Sequence, residues 1–325
     1  MSITLNLSSL YQQIESHLER VRTHVGREWT EAFRLVYGPS AAQPRLGGKL
    51  MRPAACLLSA GAAGADDLDH FVDMAAAMEL LHLASLAHDD VVDSANLRRG
   101  GASLNAIWDN HTAVLGGDFL VARALTVVTV YDSCSVVASA LESIHQMAEG
   151  ELINFGVGKE NLSEADTIRL AEKKTASLFA AACCTPTLLL DSEWREPLHA
   201  YGMGVGTAFQ LIDDILDIEQ PESTLGKPSC GDIVEGKVTL PIIYMKEGME
   251  EAEIVRLDTM VGAELTAEDR EWAAAMLLRT GARDRAAAVA RKYMDDSRAA
   301  LDSMPQNCYT EALFGMADFV MLRDS

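Results

Sequence analysis

Aromatic residues are scarce in this 325-residue chain, at 6%, and runs of β-branched residues are scarcer still, which argues against a fold built on sheets. Ala, Leu, Met and Glu take their place, all good helix formers, so the expected class is all-α. Positive charge is short as well: 27 Lys and Arg stand against 48 Asp and Glu, a formal net charge of −21. A nucleic-acid binder needs a basic footprint to displace counterions, so no nucleic-acid partner is expected. Docking on anionic lipid is disfavoured for the same reason. The cysteines show no CxxC or Cys/His zinc spacing, and adjacent Cys183 and Cys184 cannot easily bridge each other. That fits reduced thiols in a cytoplasmic setting. The opening MSITLNLSSLYQQIESHLER lacks a basic stretch followed by an apolar core, so no secretory signal is expected. No uninterrupted apolar run approaches the roughly 18 residues of a membrane span, and no transmembrane segment is expected.

What the chain does have is helical periodicity. Residues 3–25 read as an amphipathic helix and 28–37 as a second, short one. GPSAAQPRLGGKLMRP, residues 38–53, is a Gly/Pro loop that opens a helix at Pro53. Residues 66–93 read as one long helix of roughly 40 Å, capped near Asp66 or Asp67. SANLRRGGAS is a loop, followed by apolar helices at 112–130 and 135–155. Ser163 opens another helix, with Glu164 and Asp166 in the first turn where the dipole favours them, running to about Leu190. Residues 195–218 form the next long helix. Residues 219–239 are the longest irregular stretch, and about four helices complete the chain. No linker or composition shift divides it, so residues 1–325 are expected to form one domain: a bundle of long, mostly antiparallel helices around a central cavity.

Two segments echo each other, HDDVVD at 88–93 and IDDILD at 212–217. In each, the first and last Asp stand at i and i+4 and share a helix face, so Asp89 pairs with Asp93 and Asp213 with Asp217. Like charges at that spacing repel, and a divalent cation is the natural compensation. Hard carboxylate oxygens suit Mg²⁺, which takes one or two protein carboxylates together with substrate phosphates. The bland alternative is two solvated helix ends. It fits poorly with strongly apolar helices, each followed by a Gly-bearing loop with basic residues.

The few cations cluster beside glycines: Lys49 and Arg52 in GGKLMRP, Arg98 and Arg99 in NLRRGG, Lys173 and Lys174 before Thr175, and Lys227 and Lys237 in the long loop. Arg forks and Lys point charges of this kind suit diphosphate groups. His82 lies two turns before Asp89 on the same face and is read as a phosphate donor. A single His on an apolar helix is more often a hydrogen-bonded core residue, and His88, one position off that face, is read so.

Taken in order, GGKLMRP, LLHLASLAHDDVVDSANLRRG, GGDFLVARA, KTASLFA, FQLIDDILD and GKPSCGDIVEGKVTLP resemble the motif set of the trans-isoprenyl diphosphate synthases, or polyprenyl synthetases. The resemblance covers about residues 38–245. Departures are slight: Leu50 stands where a basic residue often follows the Lys, and Val234 where many members carry Arg.

The resemblance implies the isoprenoid synthase fold, a homodimer and Mg²⁺ (three ions per site), held by Asp89, Asp93, Asp213 and Asp217 with Asp90 and Asp214 in support. It places isopentenyl diphosphate against Lys49, Arg52, His82 and Arg99. The allylic diphosphate falls to Arg98, Lys174, Thr175, Gln210, Lys227 and Lys237. The irregular stretch 219–239 would act as a lid. In the family, bulky residues just before the first aspartate motif stop elongation; here Ala84 and Ser85 are small. A tail beyond C20, of hexaprenyl to octaprenyl length for a quinone side chain, is expected, with a floor near Leu81, Met78 or Met74. Product release could involve transient membrane contact. Three rivals stay open. A short-chain synthase shares all the chemistry, an HD-type phosphohydrolase could use His88–Asp89, and a noncatalytic synthase subunit shares the frame. The second aspartate motif and RRG weigh against the last two.

Overall fold

The computed structural model describes residues 7–38, 48–93, 97–98, 101–107, 109–154, 156, 162–190, 192–221 and 228–322. The chain is a helical bundle, as composition required. Its only ladder among the described residues is a two-residue antiparallel pair, Leu97–Arg98 with Gly101–Ala102, inside the loop expected after the first aspartate motif.

The N-terminal expectation needs correction. A short turn, Leu7–Leu10, and a 3-10 turn lead into one helix, α1 (Glu15–Tyr37), which runs straight through Gly26. Glycine inside a helix costs about 1 kcal/mol relative to Ala, but the apolar stripe Val21, Val25, Trp29, Phe33 is buried on both sides of it. Tertiary burial holds the helix together across the weak position. Next comes α2 (Met51–Ala62), entered through Leu50 in a left-handed conformation, φ 49°. The long helix expected from residue 66 starts later: Asp67 caps a 3-10 turn, and α3 spans Val72–Val92. The Tyr131 hydroxyl accepts from the Met74 amide at 2.9 Å and donates to the His70 carbonyl, tying down the α3 N-terminus.

Helix α3 is buried almost all round, the mark of a central helix. It packs on α1 and on α4 (Asn110–Val128), and α5 (Cys134–Asn154) follows. Asn110–Tyr131 is long and apolar enough, by length and composition, to cross a membrane, and 39% of its apolar window is buried. Asp118 and Arg123 interrupt it, so it is not an uninterrupted apolar run. One flank of this helix is spent on α3: the His88 ring rests on the bare backbone of Gly117, with Nε2 3.2 Å from the Val114 carbonyl. Glu28 of α1, 2% exposed, is bound by Arg123 of α4 at 2.6 Å.

Ser163 does cap a helix, with a reciprocal Ser163–Asp166 capping box. The helix expected to run on to about Leu190 does so as α6 (Glu164–Ala171), a π-helical turn (Glu172–Ala176) and α7 (Ser177–Cys184), with one turn before a last short helix at Thr187–Leu190. The second central helix, α8 (Arg195–Glu219), lies against α7 and α12. Gly202 permits this close approach: a Cβ there would stand 2.6 Å from the Ala180 Cα and 2.7 Å from the Phe179 oxygen. From Leu240 on, five helices follow among the described residues, α9 (Leu240–Glu247), α10 (Glu251–Thr259), α11 (Ala267–Arg279), α12 (Ala282–Leu301) and α13 (Cys308–Leu322).

Candidate active site

Both aspartate motifs stand near the C-terminal ends of the two central helices. Carboxylates there face the negative end of the helix dipole, so each ladder adds its own repulsion to an unfavourable field. The structure answers with lysines. The Lys174 ammonium lies 3.5 Å from Asp89 and also pairs with Glu151. The Lys237 ammonium lies 3.2 Å from Asp93 and also pairs with Glu235. Burial works against the charge on Lys174, but Asp89 and Glu151 outweigh it and its pKa is raised. The same balance, with Asp232, Asp93 and Glu235 on the favourable side, raises Lys237.

Lys174 reaches this position through local backbone geometry. It sits in the π-helical turn, and such turns often mark functional positions. Its neighbour Lys173 points elsewhere, donating to Gln146 at 2.8 Å and Glu149 at 2.7 Å on α5. Gly150 lets α5 come close: a Cβ there would be 3.0 Å from the Lys173 Cβ and 3.1 Å from the Lys174 nitrogen. Glu151, the next residue, is thereby set against Lys174. Sequence reading missed Glu151 and Glu235; a glycine followed by an acid on an apolar helix, in AEGEL, was the available signal for the first.

On α8 a chain of hydrogen bonds runs from the Thr175 hydroxyl to Gln210 Oε1 (2.6 Å) and from Gln210 Nε2 to Asp214 Oδ1 (2.7 Å). Burial pushes Asp214 up to about 7, against the lowering effect of Gln210. Asp213 is half-buried, whereas Asp217 is buried. Its Oδ2 accepts from the Asp232 amide at 3.0 Å, and its carbonyl accepts from the Cys230 amide at 2.7 Å. Asp217 thus pins the second half of the expected lid, where a short helix forms at Gly231–Val234. A cleft of about 190 Å³ between Val92, Asp93, Asn154 and residues 235–238 opens beside the first motif.

The other substrate residues fall at the start of α2 and on α3. The Arg52 guanidinium lies 4.4 Å above the Phe179 ring, and the Lys49 ammonium 5.1 Å from the ring centre of Phe319 in α13. Cation–π contacts hold a cation in place without neutralising it. His82 is half-buried; Arg99 and Lys227, and the side chain of Arg98, lie outside the described residues.

Exposure along α3 locates the depth of the site. The half-buried residues include His82, Ser85, Asp89 and Asp93, spaced three, four and four apart, which is a single helix face. Ser85 belongs to this stripe, and its hydroxyl is turned back to the His82 carbonyl at 2.8 Å. Ala84 does not: it is 1% exposed, in the core. Below the stripe Leu81, Met78 and Met74 are at most 1% exposed and close the helix face. Of the two small residues, Ser85 stands beneath Asp89 and Ala84 behind it.

The donor set suits a hard divalent cation. It is all carboxylate oxygen, and two cations already sit at the first ladder. Among the described residues no three acids or histidines converge as a finished metal site.

A family model described as polyprenyl synthetase matches residues 34–277. An all-trans-nonaprenyl-diphosphate synthase (geranyl-diphosphate specific) of Rhodobacter capsulatus is 36% identical over 89% of this chain and 89% of its own. A short chain isoprenyl diphosphate synthase of Methanothermobacter thermautotrophicus is 35% identical over 86% of this chain and 87% of its own. Among solved structures, a polyprenyl synthase from Caulobacter crescentus, complexed with calcium and isoprenyl diphosphate, superposes with a TM-score of 0.89 at 34% identity, covering 98% of both chains.

Proposed function

Because this chain belongs to the polyprenyl synthetase family and is a prenyltransferase, we propose that it condenses isopentenyl diphosphate with farnesyl or geranylgeranyl diphosphate and extends the product past C20, to hexaprenyl–octaprenyl length. The observation that carries this reading is the placement of Lys174 and Lys237 against Asp89 and Asp93 at the mouth of a helix face reached by solvent down to His82. Relatives of nearly equal identity are named for long and short products, so product length rests on the residues of that face.

Divalent metal, Mg²⁺ with three ions per site in this proposal, supplies charge neutralisation for the diphosphate leaving group. Asp89, Asp93 and Asp213 hold it, with Asp90 and Asp214 behind them and Asp217 fixing the loop. Lys174, Lys237, Thr175 and Gln210 orient the allylic diphosphate, joined by Arg98 and Lys227 on the strength of their motifs. Their fixed charges stabilise the negative charge that grows as the allylic C–O bond breaks. Lys49, Arg52, His82 and Arg99 hold isopentenyl diphosphate so that its double bond meets the allylic cation. The proton released afterwards passes to the departing diphosphate, because the nearby carboxylates are engaged by cations. Segment 219–239 excludes water from the cation.

A single domain and a homodimer belong to the same proposal. Leu115 and Val130 on or just after α4, and Leu141 and Leu152 on α5, are exposed on consecutive helices that touch each other. A second copy is the occupant that would cover both, and sedimentation at twice the monomer mass checks it. All six cysteines are free, which supports the cytoplasm.

The test is direct. Purified protein is incubated with farnesyl diphosphate, labelled isopentenyl diphosphate and Mg²⁺, and the lipids are separated by chain length. Products longer than C20 that vanish with EDTA are expected. Elongation stopping at C20 or below refutes the long-chain reading, and absence of incorporation with every primer refutes condensation.

A further inference from the structure

The two lysines at the first ladder share one arrangement. Each ammonium lies between a motif aspartate and a glutamate from outside both motifs: Lys174 between Asp89 and Glu151, Lys237 between Asp93 and Glu235. In both cases the glutamate is in the tighter contact of the two. Glu151 is delivered by α5 through the Gly150 approach, and both of its oxygens are buried. Among the described residues no backbone or neutral side-chain donor reaches either one. Glu235 is delivered by the segment that Asp217 pins. Unrelated elements thus place a second carboxylate on each lysine.

A lysine bound only to a ladder aspartate would compete with any metal for that carboxylate. A second carboxylate gives the ammonium a place to stay while the aspartate turns to metal, and keeps it within reach of a diphosphate. We propose that Glu151 and Glu235 are positioning residues that hold Lys174 and Lys237 off the metal-binding aspartates Asp89 and Asp93. The proposal rests on the functional reading above. It adds that metal uptake at each end of the ladder is controlled by a glutamate acting through a lysine.

Mn²⁺ alone, followed by electron paramagnetic resonance of the unbound ion, is the probe, so no turnover is needed. Glu151→Gln is expected to weaken Mn²⁺ binding about ten-fold, within the range of strongly coupled charged neighbours. Lys174→Gln is expected to bind at least as tightly as the unmodified protein. In the Lys174→Gln background, Glu151→Gln should then change affinity by less than about two-fold. A simple through-space loss of negative charge would weaken binding equally in both backgrounds, and that result overturns the proposal, as does unchanged affinity in Glu151→Gln alone. The Glu235→Gln and Lys237→Gln cycle is an independent repeat should Glu151→Gln fail to fold. Absence of Mn²⁺ uptake by the unmodified protein overturns this inference and leaves the metal-dependent reading to the EDTA assay above; uptake with additive cycles likewise overturns this inference alone.

Discussion

Replacing Ser85 with Phe tests where the growing tail runs. Ser85 lies four residues before Asp89, about 6 Å along α3, while the solvent-reached stripe continues to His82, about 10 Å below Asp89. A phenyl ring at residue 85 would close the face between those two levels. The space beneath the diphosphate falls from at least ~10 Å to ~6 Å at 1.5 Å rise per residue, so products should stop at farnesyl or geranylgeranyl length. Ser85 is only half-buried and its hydroxyl serves its own helix, so the thermal midpoint should move little. Ala84→Phe is the contrast. Ala84 is 1% exposed, and forcing a ring into a packed core costs about 1–3 kcal/mol. That corresponds to several °C, at roughly 2–4 °C per kcal/mol for domains of this order. Radiolabelled chain-length analysis and a melting curve on both variants decide the matter. Full-length product from Ser85→Phe refutes the assignment of this face to the tail. Shortening by Ala84→Phe alone would move the channel to the other side of α3.

Gly202→Ala should lower the melting midpoint despite the better helix propensity of Ala, because the new Cβ meets the Ala180 Cα and Phe179 oxygen, which are backbone and cannot rotate away; an unchanged or higher midpoint refutes this. Arg123→Leu should cost about 2 kcal/mol at neutral pH, the scale of a hydrogen bond to a charged group. The Arg123 hydrogen bond is what chiefly holds the Glu28 carboxyl below its usual range, with burial opposing it. That stabilisation is present above the ordinary carboxylate pKa and is lost as pH falls through the depressed one. The gap between variant and unmodified protein in chemical denaturation should therefore narrow below about pH 4, and a pH-independent gap would contradict it.

What the sequence discloses and what it hides divide along a physical line. The aspartate ladders are legible because i, i+4 spacing is a property of any helix, and Asp89 and Asp93 share a face whatever surrounds them. The Ser163 cap is legible for the same local reason. Continuity of α1 through Gly26 is not, because it depends on Val25 and Trp29 finding a core. The π-helical turn is hidden too, since it lies against α5 at Gly150, more than twenty residues earlier in the chain. That one irregularity separates Lys173 from Lys174 and brings Glu151 to the site. Asp217 has a contact that motif reading does not disclose: besides its metal-ligand spacing, its carboxylate accepts the Asp232 amide and its carbonyl the Cys230 amide, fixing the segment that carries Glu235 and Lys237. The two ladders are therefore coupled: the first turns both outer aspartates toward lysines, and Asp217 of the second also holds the loop that supplies one of those lysines.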